Sequence, residues 1–497
     1  MTAEREHVDV LVIGAGLSGV GAGCHLRREH PERSFAILEA REAMGGTWDL
    51  FRYPGIRSDS DMFTLGYSFA PWKDPQAFAD GPSILAYIHE TAREYRVDEE
   101  IRYGHRVLRA SWSSAEARWT VEVEREGEVV ELTCDFLLGC TGYYRYDRGY
   151  TPELPGIERF GGEVIHPQLW PEDLAYAGKR VVVVGSGATA VTLVPAMARD
   201  AEHVTMLQRS PSYIIPRPGR DEIAAKLMRV LPAKATYWVM RWVNWSLAML
   251  SFVVSRRRPD FAKRLFRRIV TAQLPAGYDV AKHFSPRYNP WEQRLCVAPD
   301  GDLFDVLGDG SASIATDTIE TFTESGIKLA SGEELEADIV ITATGLDLIP
   351  LGGVTLEVNG AAVDVSERLM YRGMMLSGVP NLAVALGYPN ASWTLKVDIT
   401  LEYVCRLLSY MDARGYAEVV AVNDDPTVTP QPVLDLSSGY ILRALEIFPN
   451  QGSKVPWRLH QNWARDKFSL RFASFDDRAL HFSRAPVAAP AEVPQPA

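Results

Sequence analysis

Val8-Asp9-Val10-Leu11-Val12-Ile13-Gly14-Ala15-Gly16-Leu17-Ser18-Gly19 decides the fold, and Lys179-Arg180-Val181-Val182-Val183-Val184-Gly185-Ser186-Gly187-Ala188-Thr189-Ala190 repeats its logic. In each, an apolar run reads as a buried strand, a glycine-rich turn follows, and a helical pattern starts at the turn. Gly14 permits the tight turn, Gly16 lets backbone approach a pyrophosphate, and Gly19 allows close helix packing, so the first helix N-terminus faces phosphate beside Ser18. Gly185, Ser186, Gly187, Ala188, Thr189 and Ala190 occupy the equivalent turn of the second unit. A further strand closes each unit, at Ser34 to Glu39 and at His203 to Gln208. Both are therefore βαβ nucleotide-binding units.

The units differ where the ribose is read. Glu39 ends its strand about 20 residues past the first turn, where a carboxylate accepts the two hydroxyls of an adenosine ribose. The second unit ends instead in Gln208-Arg209-Ser210. A guanidinium suits a 2′-phosphate that a carboxylate would repel, so Arg209 and Ser210 point to NADPH rather than NADH.

Outward from these units the pattern is α/β. Arg118 to Arg125 and Val129 to Thr133 read as antiparallel strands of a meander, followed by a separate buried strand, Asp135 to Gly142, ending in Thr141-Gly142. A linker rich in Tyr, Gly and Pro spans 143 to 158. From about 220 to 290 the sequence turns helical and aromatic and interrupts the second unit. Strand patterns resume at Ser313 to Thr316 and Gly326 to Leu329. They lead to Asp338 to Gly345, a near copy of the Asp135 to Gly142 strand ending in Thr344-Gly345. Residues 1–145 lack the last helix and strand of such a fold, so the chain must return to complete it. The expected domains are a first dinucleotide unit at 1–145 and 346–484, a second at 146–219 and 291–345, a helical insertion at 220–290, and a disordered Ala/Pro tail at 485–497.

At 497 residues the chain is too long for one ordinary core. Its 52 basic and 64 acidic residues give a net charge of −12, which argues against nucleic acid as partner. Five sparse cysteines, 24, 134, 140, 296 and 405, fit a reducing cytoplasm. The first apolar run is too short for a signal peptide and reads as a strand. Trp242 to Ser255 carries no formal charge, yet its 14 residues fall short of a bilayer span. Trp238, Trp242, Trp245, Met249 and Phe252 share one helical face. That face reads as packed core, with Arg256, Arg257, Arg258, Lys263, Arg264, Arg267 and Arg268 solvated after it; peripheral contact with an anionic membrane is the alternative. Oligomeric state is not legible.

Two longer motifs carry a resemblance. Phe160-Gly161-Gly162-Glu163-Val164-Ile165-His166-Pro167-Gln168-Leu169-Trp170-Pro171 precedes the second unit, and Gly45-Gly46-Thr47-Trp48 with Tyr53-Pro54-Gly55-Ile56-Arg57-Ser58-Asp59 follows the first. The chain resembles the type I Baeyer–Villiger monooxygenases over nearly its whole length. Through Tyr288-Asn289-Pro290-Trp291 and Asn390-Ala391-Ser392-Trp393-Thr394 it looks most like their ethionamide-activating branch. The resemblance implies a flavoprotein in which NADPH reduces FAD, oxygen adds at the flavin C4a atom, and the peroxyflavin inserts oxygen into a ketone to give an ester or lactone. Oxidation of sulfur in thioethers or thioamides is implied as a second activity.

The same resemblance implies roles for residues. Arg294 matches the family's active-site arginine and Asp59 the carboxylate that orients it. Thr47, Trp48, Arg57, Asp59, Val107 and Trp393 become cofactor contacts, joining the two glycine turns, Glu39, Arg209 and Ser210. The 390–394 segment should open a helix facing the flavin pyrimidine edge. His166 belongs to the interdomain connection, where its hydrogen bonds would change as domains move, rather than serving as a general base. A flavin disulfide reductase is excluded by spacing, since Cys134 and Cys140 have five residues between them. The rival readings are a flavin monooxygenase acting mainly on nitrogen or sulfur and a non-catalytic FAD/NADP sensor.

Overall fold

A computed structural model describes residues 5–434 and 436–484. The expected disorder of 485–497 lies outside those residues. In the first unit, strand Glu6–Ile13 lies parallel between Phe35–Leu38 and the C-terminal half of Glu128–Gly139. Helix Leu17–Glu29 crosses over between the first two, starting at Gly16. Late in the chain, Leu382–Val384 adds in parallel to Leu137–Gly139, and the long helix Trp393–Arg414 packs on Leu17–Glu29. A strand and a helix from late in the chain thus join the sheet and the crossover helix of its first residues.

The two strands predicted at Val129 to Thr133 and Asp135 to Gly142 form a single 12-residue strand, Glu128–Gly139. Its N-terminal half pairs antiparallel with Arg118–Arg125, while its C-terminal half joins the parallel sheet. The side chains change from exposed to buried along it, so the apparent break in the sequence marks a change of environment rather than of backbone.

The second unit is an all-parallel five-stranded sheet in the order Ala312–Thr316, His203–Gln208, Arg180–Val184, Ile339–Thr342, Glu163–Ile165. Gly326–Leu329 is not part of it; it sits in a small antiparallel sheet with Ile319–Phe322 and Glu334–Glu336. The 143–158 linker is also more ordered than its composition suggests. Tyr144–Gly149 forms a strand antiparallel to Leu346–Leu348, so the two crossings between units are hydrogen-bonded to each other.

Between 220 and 290 the chain is helical, dominated by Ala233–Arg257 and Pro259–Thr271. The longer helix buries Tyr237, Met240, Arg241 and Asn244, and its aromatic face beside them is half-buried. Trp242 and Trp245 meet Trp463 at centroid distances of 4.7 and 5.5 Å, and Phe252 meets Trp291 at 5.5 Å. Arg241, 1% exposed, fixes that helix to the first unit. Its guanidinium donates to the Phe63 and Gly66 carbonyls and pairs with the equally buried Asp398 at 3.2 Å. Asp398 also accepts from the Ser68 amide. Burial alone would raise its pKa, but His25 and Arg241 beside it hold it low. No helix among the described residues is long and apolar enough to cross a membrane.

Candidate active site

Each central strand has neighbours on both sides that arose by reversal of strand order, and at such switch points the carboxyl ends of the strands leave a crevice. Here both crevices open into one cavity of about 1330 Å³. That exceeds the usual range for one drug-sized ligand. At the first crevice Gly14, at φ +99°, lies against the end of the neighbouring strand: an added Cβ would stand 2.8 Å from the Cys140 carbonyl oxygen. At the second, Gly185 repeats the contact, with a Cβ 2.3 Å from the Ala343 carbonyl oxygen. Cys140 and Ala343, each just past the end of its strand and just before a Thr-Gly pair, are therefore the surfaces against which the two glycine turns close.

Helices Leu17–Glu29 and Ala188–Met197 both begin at the cavity wall, and neither N-terminus has a side-chain cap, because Gly16 and Gly187 hold those positions. First-turn amides left without partners, at the positive end of a helix, favour an anion. Gly16 is bridged to Gly45, and the short helix Thr47–Leu50 stacks the GGTW motif behind the first turn. Glu39 lies beneath it, accepting from the amides of Ala15 and Arg41. Burial raises its pKa against those hydrogen bonds. At the second turn the Ser186 hydroxyl bonds to Ser212 and to the Ser210 carbonyl, holding the exposed Arg209-Ser210 segment beside the glycines.

Of the predicted site residues, Gly14, Gly16, Ser18, Glu39, Thr47, Trp48, Arg57, Asp59, Val107, Gly185, Ser186, Gly187, Ala188, Thr189, Arg209, Ser210, Arg294 and Trp393 all line the cavity. Gly19 and Ala190 do not. Gly19 sits where helix meets strand, a Cβ there falling 1.8 Å from the Gly14 carbonyl oxygen, and Ala190 is wholly buried. Their role is packing. Arg57 reaches the cavity already paired with Asp302.

Arg294 and Asp59 meet at 2.8 Å, Nη2 to Oδ1. Asp59 ends the 53–59 loop of the first unit, while Arg294 lies in the loop between the helical insertion and strand Cys296–Pro299. About a third of the Arg294 side chain is accessible, and what it meets is the cavity. Asp59 raises the arginine's pKa against burial, so its charge is permanent. Around it stand Tyr143, Tyr144 and Tyr440, whose phenols burial keeps protonated well beyond their ordinary range. Tyr143 also packs on Trp393 at 5.0 Å, and the Trp393 indole donates to Ser18. One fixed cation among neutral phenols is suited to an oxygen that acquires negative charge.

These tyrosines escaped the sequence reading. Tyr143 and Tyr144 fell in an apparent linker, and Tyr440 lies on a short helix, Gly439–Ala444, with no motif around it.

His166 stands between the two crossings. Its Nε2–H donates to the Gly345 carbonyl at 3.1 Å, its Nδ1 accepts from the Gln168 amide, and Gly149 lies flat against the ring. Gln168 in turn donates to the Arg145 and Arg148 carbonyls of the first crossing. Phe160 and Gly162 of the same motif dock on the second sheet, beside Phe322 and the Asp338 carbonyl. The five cysteines are all buried and free of disulfides.

Comparisons with known proteins agree with this architecture. The profile of the flavin-binding monooxygenase-like family matches residues 8–234. FAD-containing monooxygenase EthA of Mycobacterium tuberculosis is 53% identical over 97% of this chain and 99% of its own length. A solved structure, oxidized steroid monooxygenase bound to NADP, superposes with a TM-score of 0.78 at 22% identity, covering 96% of this chain and all of the other. OTEMO complexed with FAD and NADP superposes at 0.69, over 84% and 88% of the two chains, also at 22% identity.

Proposed function

This chain belongs to the FAD-containing monooxygenases, and from that premise we propose that it inserts one oxygen atom of O2 into ketones, giving esters or lactones at the expense of NADPH. The observation that carries this reading is the Arg294–Asp59 pair, a permanent positive charge held on the wall of a cavity that both uncapped helix N-termini enter. Their donor sets fit two pyrophosphates. The first unit, residues 1–145 with 346–484, would hold FAD through Gly14, Gly16, Ser18, Glu39, Thr47 and Trp48. The second, 146–219 with 291–345, would hold NADPH through Gly185 to Thr189, Arg209 and Ser210, with 220–290 as a helical insertion.

When bound, FAD supplies the activation of dioxygen, which no side chain can provide. Arg294 then offers a guanidinium to the oxygen atoms on which negative charge develops, including the carbonyl oxygen of the acceptor as its carbon becomes tetrahedral. Asp59 fixes that guanidinium in place. Trp48 and Trp393 exclude water from the reacting centre. In balance, ketone, O2, NADPH and a proton give ester, water and NADP+.

Oxidation of sulfur in thioethers or thioamides is the second reading. It is supported by Tyr143, Tyr144 and Tyr440, phenols that burial keeps neutral and that can donate hydrogen bonds to the transferred oxygen, lowering its nucleophilic character toward carbonyls.

Product analysis with the purified holoprotein tests both. A panel of linear, cyclic and aryl ketones should yield esters in step with NADPH consumed, and NADH should serve less well. Sulfoxides from thioethers with no ester from any ketone would transfer the assignment to the second reading. Hydrogen peroxide as the sole product would remove both.

A further inference from the structure

A helix on a protein surface needs one apolar face, and Ala233–Arg257 has two. The aromatic face is satisfied against Trp463 and Trp291. On the opposite side Val239, Val243, Leu247 and Leu250, spaced by four, four and three, form a ridge about 16 Å long at helical rise. These four are between 37% and 60% exposed. The next helix adds exposed Phe261 and Leu265. Half of the large apolar side chains exposed anywhere among the described residues lie between 223 and 265. None of the six named here lines the central cavity.

The ridge ends in charge. Between 256 and 268 there are seven basic residues and one acidic, in a chain whose net charge is −12. Arg256, Arg257, Arg258, Arg264, Arg267 and Arg268 are all exposed. From this juxtaposition we infer that the outer face of helices Ala233–Arg257 and Pro259–Thr271 docks on an anionic lipid surface, aliphatic ridge inserted and arginines on the headgroups. Aliphatic side chains beside arginine heads match the boundary between acyl chains and anionic headgroups. A second copy of the chain is a poor occupant, because it would bring a second arginine cluster against the first.

This face is the reverse of the one that aromatic spacing singled out. Phe252 on Trp291 and Phe266 on Tyr213 tie the same two helices to the 288–294 loop that ends at Arg294. Docking would therefore set the cavity wall near a phase in which apolar acceptors concentrate. The inference does not depend on which acceptor is oxidised.

The test is co-sedimentation of the holoprotein with vesicles of phosphatidylcholine alone or mixed equally with phosphatidylglycerol. Binding should require phosphatidylglycerol and weaken in high salt. Leu247→Asp/Leu250→Asp should lower the partition coefficient about tenfold or more, and Arg257→Gln/Arg264→Gln/Arg268→Gln should do likewise. Both variants should keep the wild-type circular dichroism spectrum and wild-type NADPH consumption with a water-soluble acceptor. Equal sedimentation with neutral and anionic vesicles, or variants that bind like wild type, would overturn the proposal. So would a wild-type dimer that Leu247→Asp/Leu250→Asp splits while no vesicle is bound, since a second copy would then own the face.

Discussion

Arg294 and Asp59 are separated by 235 positions and joined by one 2.8 Å hydrogen bond, so a single residue change tests the proposed chemistry. Removing the guanidinium deletes the fixed charge from a site whose other nearby donors are neutral phenols. Arg294→Ala should retain the flavin absorbance of the holoprotein, because the glycine turns and Glu39 lie elsewhere in the cavity, yet lose ester formation by about 10²–10³-fold. Full ester yield from that variant would take the arginine out of the reaction. At this scale the sequence was legible where a motif carried the residue: Asp59 sits at the end of one, and Arg294 matched the family. Tyr143, Tyr144 and Tyr440 belong to no local pattern. They become site residues only because a crossing strand and a late helix converge on Arg294.

The helical insertion acts as an element that holds both partners of that pair. Asn244 donates to Asp61, two residues past Asp59, and Arg241 secures the carbonyls of Phe63 and Gly66. Farther along the same helix Phe252 supports Trp291, which takes the left-handed conformation at φ +68°, three residues before Arg294. Left-handed backbone at a bulky residue is strained and persists only when its surroundings enforce it. The Arg241–Asp398 pair is the buried anchor of this helix. Arg241→Met would leave Asp398 in the core without its cation, at a cost of about 3–5 kcal/mol, whereas adding Asp398→Asn should recover part of that loss. Chemical denaturation of the single and double variants measures it, and a double variant no more stable than the single would contradict the pairing. The spacing of Trp238, Trp242, Trp245 and Phe252 marked a half-buried packing face of this helix, while its fully buried face runs through Tyr237, Met240, Arg241 and Asn244. Nothing in the sequence marked Arg241 as its anchor, since an arginine is rarely so fully enclosed.

Across the whole molecule the two units are joined by paired crossing strands, with His166 wedged between them. Burial lowers its pKa, and its Nδ1 accepts a hydrogen bond, so the folded protein holds the ring neutral. The unfolded chain binds a proton first as pH falls below the ordinary imidazole value of about 6.5. Stability should therefore fall with pH from there down to the lowered folded value, by at most about 1.4 kcal/mol per pH unit for one proton. His166→Gln should lose that part of the slope. Identical slopes for the two proteins, measured by denaturant titration at several pH values, would remove His166 from the connection.

The sequence by itself determined the two nucleotide units, their order, and the need for a returning segment, because glycine turns after apolar strands and the 2-and-3.6 residue periodicities are local properties of the chain. It also placed the half-buried aromatic face of the long helix, for the same reason. It misread Glu128–Gly139 as two strands, since one continuous strand there passes from a solvated ribbon into a buried sheet. Tertiary structure alone decided that both crevices share one cavity, that Gly14 and Gly185 close on Cys140 and Ala343 just before the two Thr-Gly pairs, and that three tyrosines gather around Arg294. Each of those facts depends on contacts between segments far apart in the chain, and no periodicity in a single stretch encodes which distant segment will fill the space beside it.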